Sequence, residues 1–451
     1  MNTLRLAGFG MRGYVGGSLT PNLAADFVSA FATLTEGGRI VLARDTRYSS
    51  PMFHATAVSA LTCAGCEVID LGVAPTPAVQ FAVKECGAAG GLSISGGHNR
   101  QGWNTITLIG ADGAFLDPSG GEAVLDIFHA SEFRKADWCR LGAISDRPEG
   151  MDRYMDHLAA QVDAERIRRR RFRVVIDPVG GAACPLLPRF RELFGLDLIP
   201  INGRPSGYLA REPEPRPRSA LPMAEIIGAL GADAGFVLSS DAKRLSVVSE
   251  TGEPASEEYT FALVAQHVLE QTPGPVVTNS CTTRTVDDLC ARAGAPLLKS
   301  RVGEAWVISS MQDEEAVLSG EGSGGAARAS NGAYFDGILS TLLILESMAV
   351  RDCTLSGLLA GIPRYGIDKR RVRCTYSRGT QALDALQRRW RGAGAGTLDT
   401  TDGIRLDLED GWVHARLSRT ENIIRVISEA LDRETAERRA AETVRVLHEE
   451  L

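Results

Sequence analysis

Apolar strand-like runs that end in polar or glycine-rich loops and pass into helical runs recur along most of this 451-residue chain. That alternation is the pattern of α/β layers with largely parallel sheets. Arg39–Ala43 reads as a strand, followed by the polar turn Arg44-Asp-Thr-Arg47, a helix from about Pro51 to Cys66, and a strand over Cys66–Asp70. A second unit follows the charged run Arg168–Arg171, with a strand over Phe172–Ile176 that ends in Asp177-Pro-Val-Gly-Gly181. A third is expected to hold a strand at Pro275–Thr278, a helix near Val286–Ala293 and a helix over Asp336–Ala349. In such units the residues after each strand reach the carboxyl edge of the sheet, where ligands bind.

Beyond Asp368 the pattern changes to α+β. It reads as the stretch Val372–Tyr376, a helix over Gln381–Trp390, a hairpin of Gly403–Leu408 with Trp412–Leu417, a strand at Ile423–Ser428 and a charged helix Arg433–Glu450. Proline- and glycine-rich joints lie at Arg147–Gly150, Gly252–Pro254 and Gly361–Pro363. They divide the chain into expected domains 1–148, 149–253, 254–366 and 367–451, a number that suits the length.

Composition narrows the class. With 44% hydrophobic residues and a net charge of −7, the chain has the apolar content to fold and too little charge to stay disordered. The balance of 49 basic against 56 acidic residues shows no basic bias and argues against broad nucleic-acid binding. No stretch approaches the ~20 apolar residues of a membrane span, and Met1–Arg5 lacks the basic-then-apolar layout of an export leader. Nine cysteines, an odd number, suit reduced thiols and a cytoplasmic setting. Cys63-Ala-Gly-Cys66 has metal-like spacing but no second Cys/His pair at zinc-finger distance, and its place in an apolar helical run makes these buried structural thiols.

Four loops have the residues for chemistry. In Gly90–Asn99 the glycines let backbone NH groups approach a phosphate, with His98 and Asn99 adding polar contacts, although an ordinary tight turn uses the same residues. Leu238–Arg244 brings Asp241, Lys243 and Arg244 to a turn that a surface salt bridge also explains. Leu318–Gly325 sets Glu321 and Ser323 in a glycine loop able to bond sugar hydroxyls or to serve as a connector. Arg416–Arg425 alternates Ser418 and Thr420 with Arg416 and Arg419 and ends on Arg425, a chemically sensible phosphate clamp.

In this order, these segments resemble the α-D-phosphohexomutase superfamily over nearly the whole chain. Arg44-Asp-Thr-Arg47, Leu71-Gly-Val-Ala-Pro-Thr-Pro77, Asp177-Pro-Val-Gly-Gly181, Glu212-Pro-Glu-Pro215, Val302-Gly303 and Asp336-Gly-Ile338 look like its scaffold motifs. The resemblance implies three mixed α/β domains and a C-terminal α+β domain around a central cleft. It also implies a phosphoserine near Mg²⁺ on three aspartates, exchanging a phosphoryl group with a phosphorylated hexose through a bisphosphate.

The chain departs from that pattern where the chemistry lies. The family's Thr-Ala-Ser-His-Asn-Pro matches Ser95-Gly-Gly-His-Asn-Arg100, so Gly97 holds the phosphoserine position. The proton-transfer lysine is matched by Thr107, and Asp-Gly-Asp-Ala-Asp-Arg by Ser239-Ser-Asp-Ala-Lys-Arg244, leaving only Asp241 of three carboxylates. A single carboxylate beside two cations is a poor magnesium site. Near the N-terminus both hydroxyls of the family's Gly-Thr-Ser-Gly-Ile-Arg-Gly are gone, but Arg12 remains.

No intact catalytic residue is therefore expected; Ser95 and His98 are the remaining nucleophile candidates, Ser95 with Ser93 on one side of a strand. The expected binding residues are Arg12, His98, Asn99, Lys243, Arg244, Glu321, Ser323, Arg416, Ser418, Thr420 and Arg425. No metal or other cofactor is expected, with the Lys243 ammonium supplying positive charge instead. On this reading the protein binds a phosphorylated hexose without running the phosphoserine cycle, as a sensor, a carrier or the subunit of a protein partner. The competing reading is an active phosphohexomutase, or another sugar-phosphate enzyme, with a displaced nucleophile.

Overall fold

The aliphatic run Ile40-Val-Leu-Ala43 has no polar side chain to leave in water, which suits a central parallel strand covered on both faces. The computed structural model, which describes residues 4–7, 9–394, 396–418 and 421–451, has Ile40–Arg44 in that place. It pairs in parallel with Val68–Val73 on one side and Gly90–Ile94 on the other. The seven-stranded sheet continues through Ile144–Asp146 at one edge and through Trp103–Ile109, Gly10–Tyr14 and Arg5–Ala7 at the other. Phe27, Phe31, Phe53 and Leu61 from helices Pro21–Leu34 and Ser50–Cys63 meet Ile40, Leu42, Leu92 and Leu108 in one buried cluster. The first of these helices begins at a proline behind a capping residue, Thr20, whose hydroxyl accepts from Leu23 N at 3.5 Å.

Two bodies make up the chain: Met1–His267 with Ser323–Leu359, and Val268–Gly322 with Ala360–Leu451. The first also holds a four-stranded sheet ordered Leu245–Ser249, Ala234–Leu238, Arg173–Asp177, Asp197–Pro200. Only its Ala234–Leu238/Leu245–Ser249 pair is antiparallel, so residues 239–244 form the turn of a hairpin at the carboxyl end of a central strand. The helix Gly337–Arg351 starts at Asp336, whose carboxylate accepts from Ile338 N at 2.9 Å and Leu339 N at 3.0 Å.

In the second body the strands Leu297–Ser300, Val276–Asn279 and Leu318–Glu321 run parallel. A separate antiparallel sheet follows, ordered Gly366–Arg373, Ile423–Ala430, Gly411–Leu417, Ile404–Leu408, Thr397–Asp399. Alternate residues of this sheet, including Ile404, Ala415, Ile424 and Val426, face helices Tyr376–Ala393 and Arg433–Glu450 and join Leu386 and Leu447 in the core. The other face carries Arg405, Trp412, His414, Arg416, Arg425 and Ile427.

Several expectations are corrected. The helix predicted to Cys66 stops at Cys63, because Ala64 caps it and Gly65 takes φ +86°, so the chain turns before the strand begins. Cys66 is buried as expected, but Cys63 is exposed. The stretch Val372–Tyr376 is not one element: the strand runs over Gly366–Arg373, and Thr375 caps the following helix. All nine thiols are free, and no described helix is long and apolar enough to cross a membrane.

Candidate functional site

In the first body the loop after Gly90–Ile94 is held from beneath by the turn after Ile40–Arg44. Asp45 accepts from Ser95 Oγ at 2.9 Å, Gly96 N at 3.1 Å, Ser50 Oγ at 2.5 Å and Arg47 Nε at 3.1 Å. Arg47, 1% exposed, donates to the carbonyls of Gly97 (3.1 Å), Asn99 (2.6 Å) and Arg100 (2.9 Å). Ser240 Oγ adds a bond to Gly97 O at 2.7 Å, tying this loop to the hairpin turn at 239–244. Arg44-Asp-Thr-Arg47 was legible as a scaffold motif; its work as the clamp on the 95–100 loop was not, because the acceptors are backbone carbonyls about fifty residues away.

Gly97 sits at φ +52°, and a Cβ there would stand 3.0 Å from Asp241 Oδ2. A side chain at this position would project toward the hairpin turn. Ser93 and Ser95 are both buried and occupied: Ser93 Oγ lies 2.8 Å from Thr76 Oγ1, and Ser95 Oγ donates to Asp45 while accepting from Gly97 N at 3.1 Å. His98 differs. It is partly exposed, and no hydrogen bond to its ring occurs among the described residues. Its pKa is held well below 6.5, first by the charge of Arg244, then by burial, Arg12, Lys243 and Arg216. The charges of these four cations therefore favour the neutral imidazole. Arg12 and Asn99 belong to the same set, joined by Arg12 Nη1 donating to Asn99 Oδ1 at 3.3 Å. Arg216 is a member the sequence did not offer, since it lies outside every motif.

On the hairpin turn, Asp241 takes the Ser239 hydroxyl at 2.6 Å, and Lys243 Nζ lies 4.0 Å from its other oxygen. The same ammonium lies 4.3 Å from the centre of the Phe115 ring, a cation–π contact that fixes it over an apolar surface. Ser323, in this body, is partly buried beside Gly324, whose carbonyl accepts from Leu245 N at 2.9 Å.

The second body also holds Glu321, Arg416, Ser418 and Arg425, and Glu321 makes its contacts apart from the other three. Glu321 is buried and accepts from Asn279 Nδ2 at 2.8 Å and Gly303 N at 2.9 Å. Arg416 lies directly across from Arg425, which in turn lies across from Arg371, so three arginines share one rung of the antiparallel sheet. Like charges placed opposite one another destabilise a sheet unless an anion offsets them. Arg425 donates to Glu421 at 2.8 Å, but its Nε is buried without a hydrogen-bond partner. Arg416 Nε is 3.9 Å from Asp402 Oδ2. Ser418 is buried and its hydroxyl accepts from Glu421 N at 3.1 Å, closing the turn before the next strand. Thr420 and Arg419 lie outside the described residues. Arg371 was missed because only the strand register puts it beside Arg425.

The description "Phosphoglucomutase/phosphomannomutase, alpha/beta/alpha domain I" matches residues 6–135, domain II matches 152–252, domain III matches 256–365, and the C-terminal domain matches 371–446. A phosphoglucomutase/phosphomannomutase of Thermococcus kodakarensis is 33% identical over 450 residues, covering 98% of each chain. The chain belongs to the phosphoglucomutase/phosphomannomutase family. Its fold is the family's four-domain α/β arrangement with a distinct C-terminal domain. A phosphoglucomutase/phosphomannomutase family protein of Burkholderia thailandensis has the same fold, with a TM-score of 0.84 at 23% identity, over 97% of this chain and 96% of that one.

Membership corrects one expectation outright. Membership overturns the expectation of a protein without a cofactor. An Aspergillus fumigatus N-acetylphosphoglucosamine mutase solved with GlcNAc-6P and magnesium shares the fold (TM-score 0.59, 16% identity, 91% of this chain and 77% of that one). The donors here do not match a three-carboxylate site. Asp241 is the one acid of its turn, its Ser239 and Ser240 neighbours spend their hydroxyls on Asp241 and Gly97 O, and no group of three or more His, Cys, Asp or Glu side chains able to hold a metal occurs among the described residues.

Proposed function

We propose that the protein is a phosphohexomutase-type enzyme that acts on a phosphorylated hexose and carries the phosphoryl group on His98 rather than on residue 97. One observation supports this above the rest: the charges of Arg244, Arg12, Lys243 and Arg216 keep the partly exposed imidazole neutral, one residue after the glycine that the resemblance sets at the family's nucleophile position. The four cations offset the charge of an incoming phosphoryl group, and an unprotonated ring nitrogen keeps the lone pair that attack requires. Ser95 fits less well, since its hydroxyl is buried and bonded on both sides.

With a hexose 1,6-bisphosphate as donor, a ring nitrogen forms the N–P bond as the P–O bond to the sugar breaks. The ring's other N–H becomes acidic and its proton is made up at the departing sugar hydroxyl. The phosphorylated ring then passes its phosphoryl group to the free 6-hydroxyl of a hexose 1-phosphate, the O–P bond forming as the N–P bond breaks and the hydroxyl proton returning to the ring; this regenerates the bisphosphate, and transfer of its 1-phosphoryl group to the ring releases the 6-phosphate. In the first body Ser323, and in the second Glu321, Arg416, Ser418 and Arg425, are each proposed as phosphosugar-binding residues.

The test is phosphopeptide mass spectrometry after incubation with glucose or mannose 1,6-bisphosphate, worked up under alkaline conditions that preserve phosphohistidine. Phosphate on the His98 peptide, absent from His98→Ala, is the expected result. Phosphate on Ser95 would move the nucleophile, and no phosphate on either would favour binding without turnover, the reading that Gly97 by itself suggests.

A further inference from the structure

Asp402 is an acid outside the proposed phosphosugar-binding set, yet it is built against one of its members. It stands just ahead of the strand Ile404–Leu408, which pairs antiparallel with Gly411–Leu417. Gly403 lets the two segments close up there: a Cβ on it would stand 2.5 Å from both Ala415 O and Arg416 Cβ. His414 Nε2 lies 2.6 Å from Asp402 O, and a carbonyl oxygen only accepts, so the imidazole donates and pins the backbone. The carboxylate is thereby held against Arg416, with Oδ2 at 3.9 Å from Arg416 Nε and the two side chains only 11% and 13% exposed.

The same oxygen has a second partner. Val302 N donates to Asp402 Oδ2 at 3.0 Å, and the next amide, Gly303 N, donates to Glu321 Oε1 at 2.9 Å. Two successive amides of one turn are therefore clasped by two acids, one beside the C-terminal sheet and one on the parallel sheet. The Val302 contact is a full hydrogen bond, whereas the guanidinium contact is too long for one. A phosphate at Arg416 can make charge-assisted hydrogen bonds of ~2.8 Å to that guanidinium, and the carboxylate then still has a good donor. Across the sheet, Arg425 has its own acid, Glu421 at 2.8 Å, so Glu421 answers Arg425 and Asp402 answers Arg416.

We propose that Asp402 is a positioning residue for anion recognition at Arg416. It serves as the counter-ion of the guanidinium until a phosphate displaces it, and then gives Oδ2 wholly to Val302 N. The inference rests on the reading of Arg416 as a phosphosugar-binding residue. It adds the residue that sets the strength of anion binding there and carries occupancy to the turn beside Glu321. Asp402 acts through Arg416 and does not touch the phosphate, because two anions in contact repel. What it takes from affinity it gives to the fold, by offsetting part of the repulsion along the Arg371–Arg425–Arg416 rung.

The test is nitrogen–proton correlation NMR on the full-length protein titrated with inorganic phosphate. The Nε–Hε signal of Arg416 is assigned as the one lost in Arg416→Gln. In the wild-type protein this signal and the Val302 amide are expected to shift together with one Kd. In Asp402→Asn the side-chain amide oxygen still accepts from Val302 N, so the turn is kept while the competing charge is gone. Arg416 is then expected to bind phosphate about fivefold tighter, and the Val302 amide to stop following it. A phosphate Kd at Arg416 that is unchanged or weaker in Asp402→Asn overturns the proposal and leaves Arg416 a phosphate-binding residue. So does a wild-type Val302 amide that stays still as Arg416 saturates, an outcome that needs no variant to fold. If Arg416 Nε–Hε responds to phosphate in neither protein, the phosphosugar reading of Arg416 fails and takes the proposal with it.

Discussion

A guanidinium that is 1% exposed and donates to the carbonyls of Gly97, Asn99 and Arg100 is hard to replace, because Asp45 loses its charge partner when it goes. Arg47→Ala is expected to cost about 3–5 kcal/mol in urea denaturation, and Arg47→Lys to recover little of it, since an ammonium cannot fork to several carbonyls. Gly97 makes the opposite kind of demand. Its φ of +52° and the Asp241 oxygen 3.0 Å from a notional Cβ predict that Gly97→Ala destabilises by about 1–2 kcal/mol. A melting temperature unchanged by Gly97→Ala would mean that the loop relaxes freely and that its geometry is not imposed by Arg47.

At the level of strands, the Arg371–Arg425–Arg416 rung carries a cost that an anion relieves. Arg416→Gln is expected to leave the fold at least as stable in phosphate-free buffer and to weaken sugar-phosphate affinity about tenfold. Differential scanning calorimetry with and without hexose phosphate reads both effects. His414, on the same strand as Arg416, sets a pH response. It is neutral when folded, with its pKa at about 4, and takes up a proton near 6.5 when unfolded. The unfolded chain thus binds more protons between those values, and stability falls as pH drops from about 6.5 to about 4, by about 3 kcal/mol in all. His98 acts in the same sense. A His414→Asn protein is expected to lose most of the slope due to His414 in pH-dependent denaturation. These elements also show what the sequence could carry. Gly97, Asp241 and Lys243 were readable because each loop is contiguous. The pull of Arg216 on His98, Arg371 beside Arg425 and Cys281 beside His414 were not, because long-range folding and strand register make those pairings. The helix overrun past Cys63 has a local cause: the Gly65 turn has no apolar signature, and Cys66 continues the periodicity.

Across the whole molecule, family membership and local chemistry pull in different directions. The four matched domains place the chain among phosphohexomutases, while the motif resemblance leads one to expect Gly97 at their nucleophile position and Asp241 alone in place of three carboxylates. The cations whose charge keeps the His98 imidazole neutral reconcile the two if the phosphoryl group is carried on that ring. That claim is tested most directly by phosphorus NMR. Purified protein would be given glucose, mannose or glucosamine 1-phosphate with Mg²⁺ and a catalytic amount of the matching 1,6-bisphosphate, in parallel with His98→Ala. Conversion of one substrate to its 6-phosphate by the wild-type protein, abolished in a folded His98→Ala, is the predicted result. No conversion of any substrate, or conversion that survives the loss of His98, would contradict it.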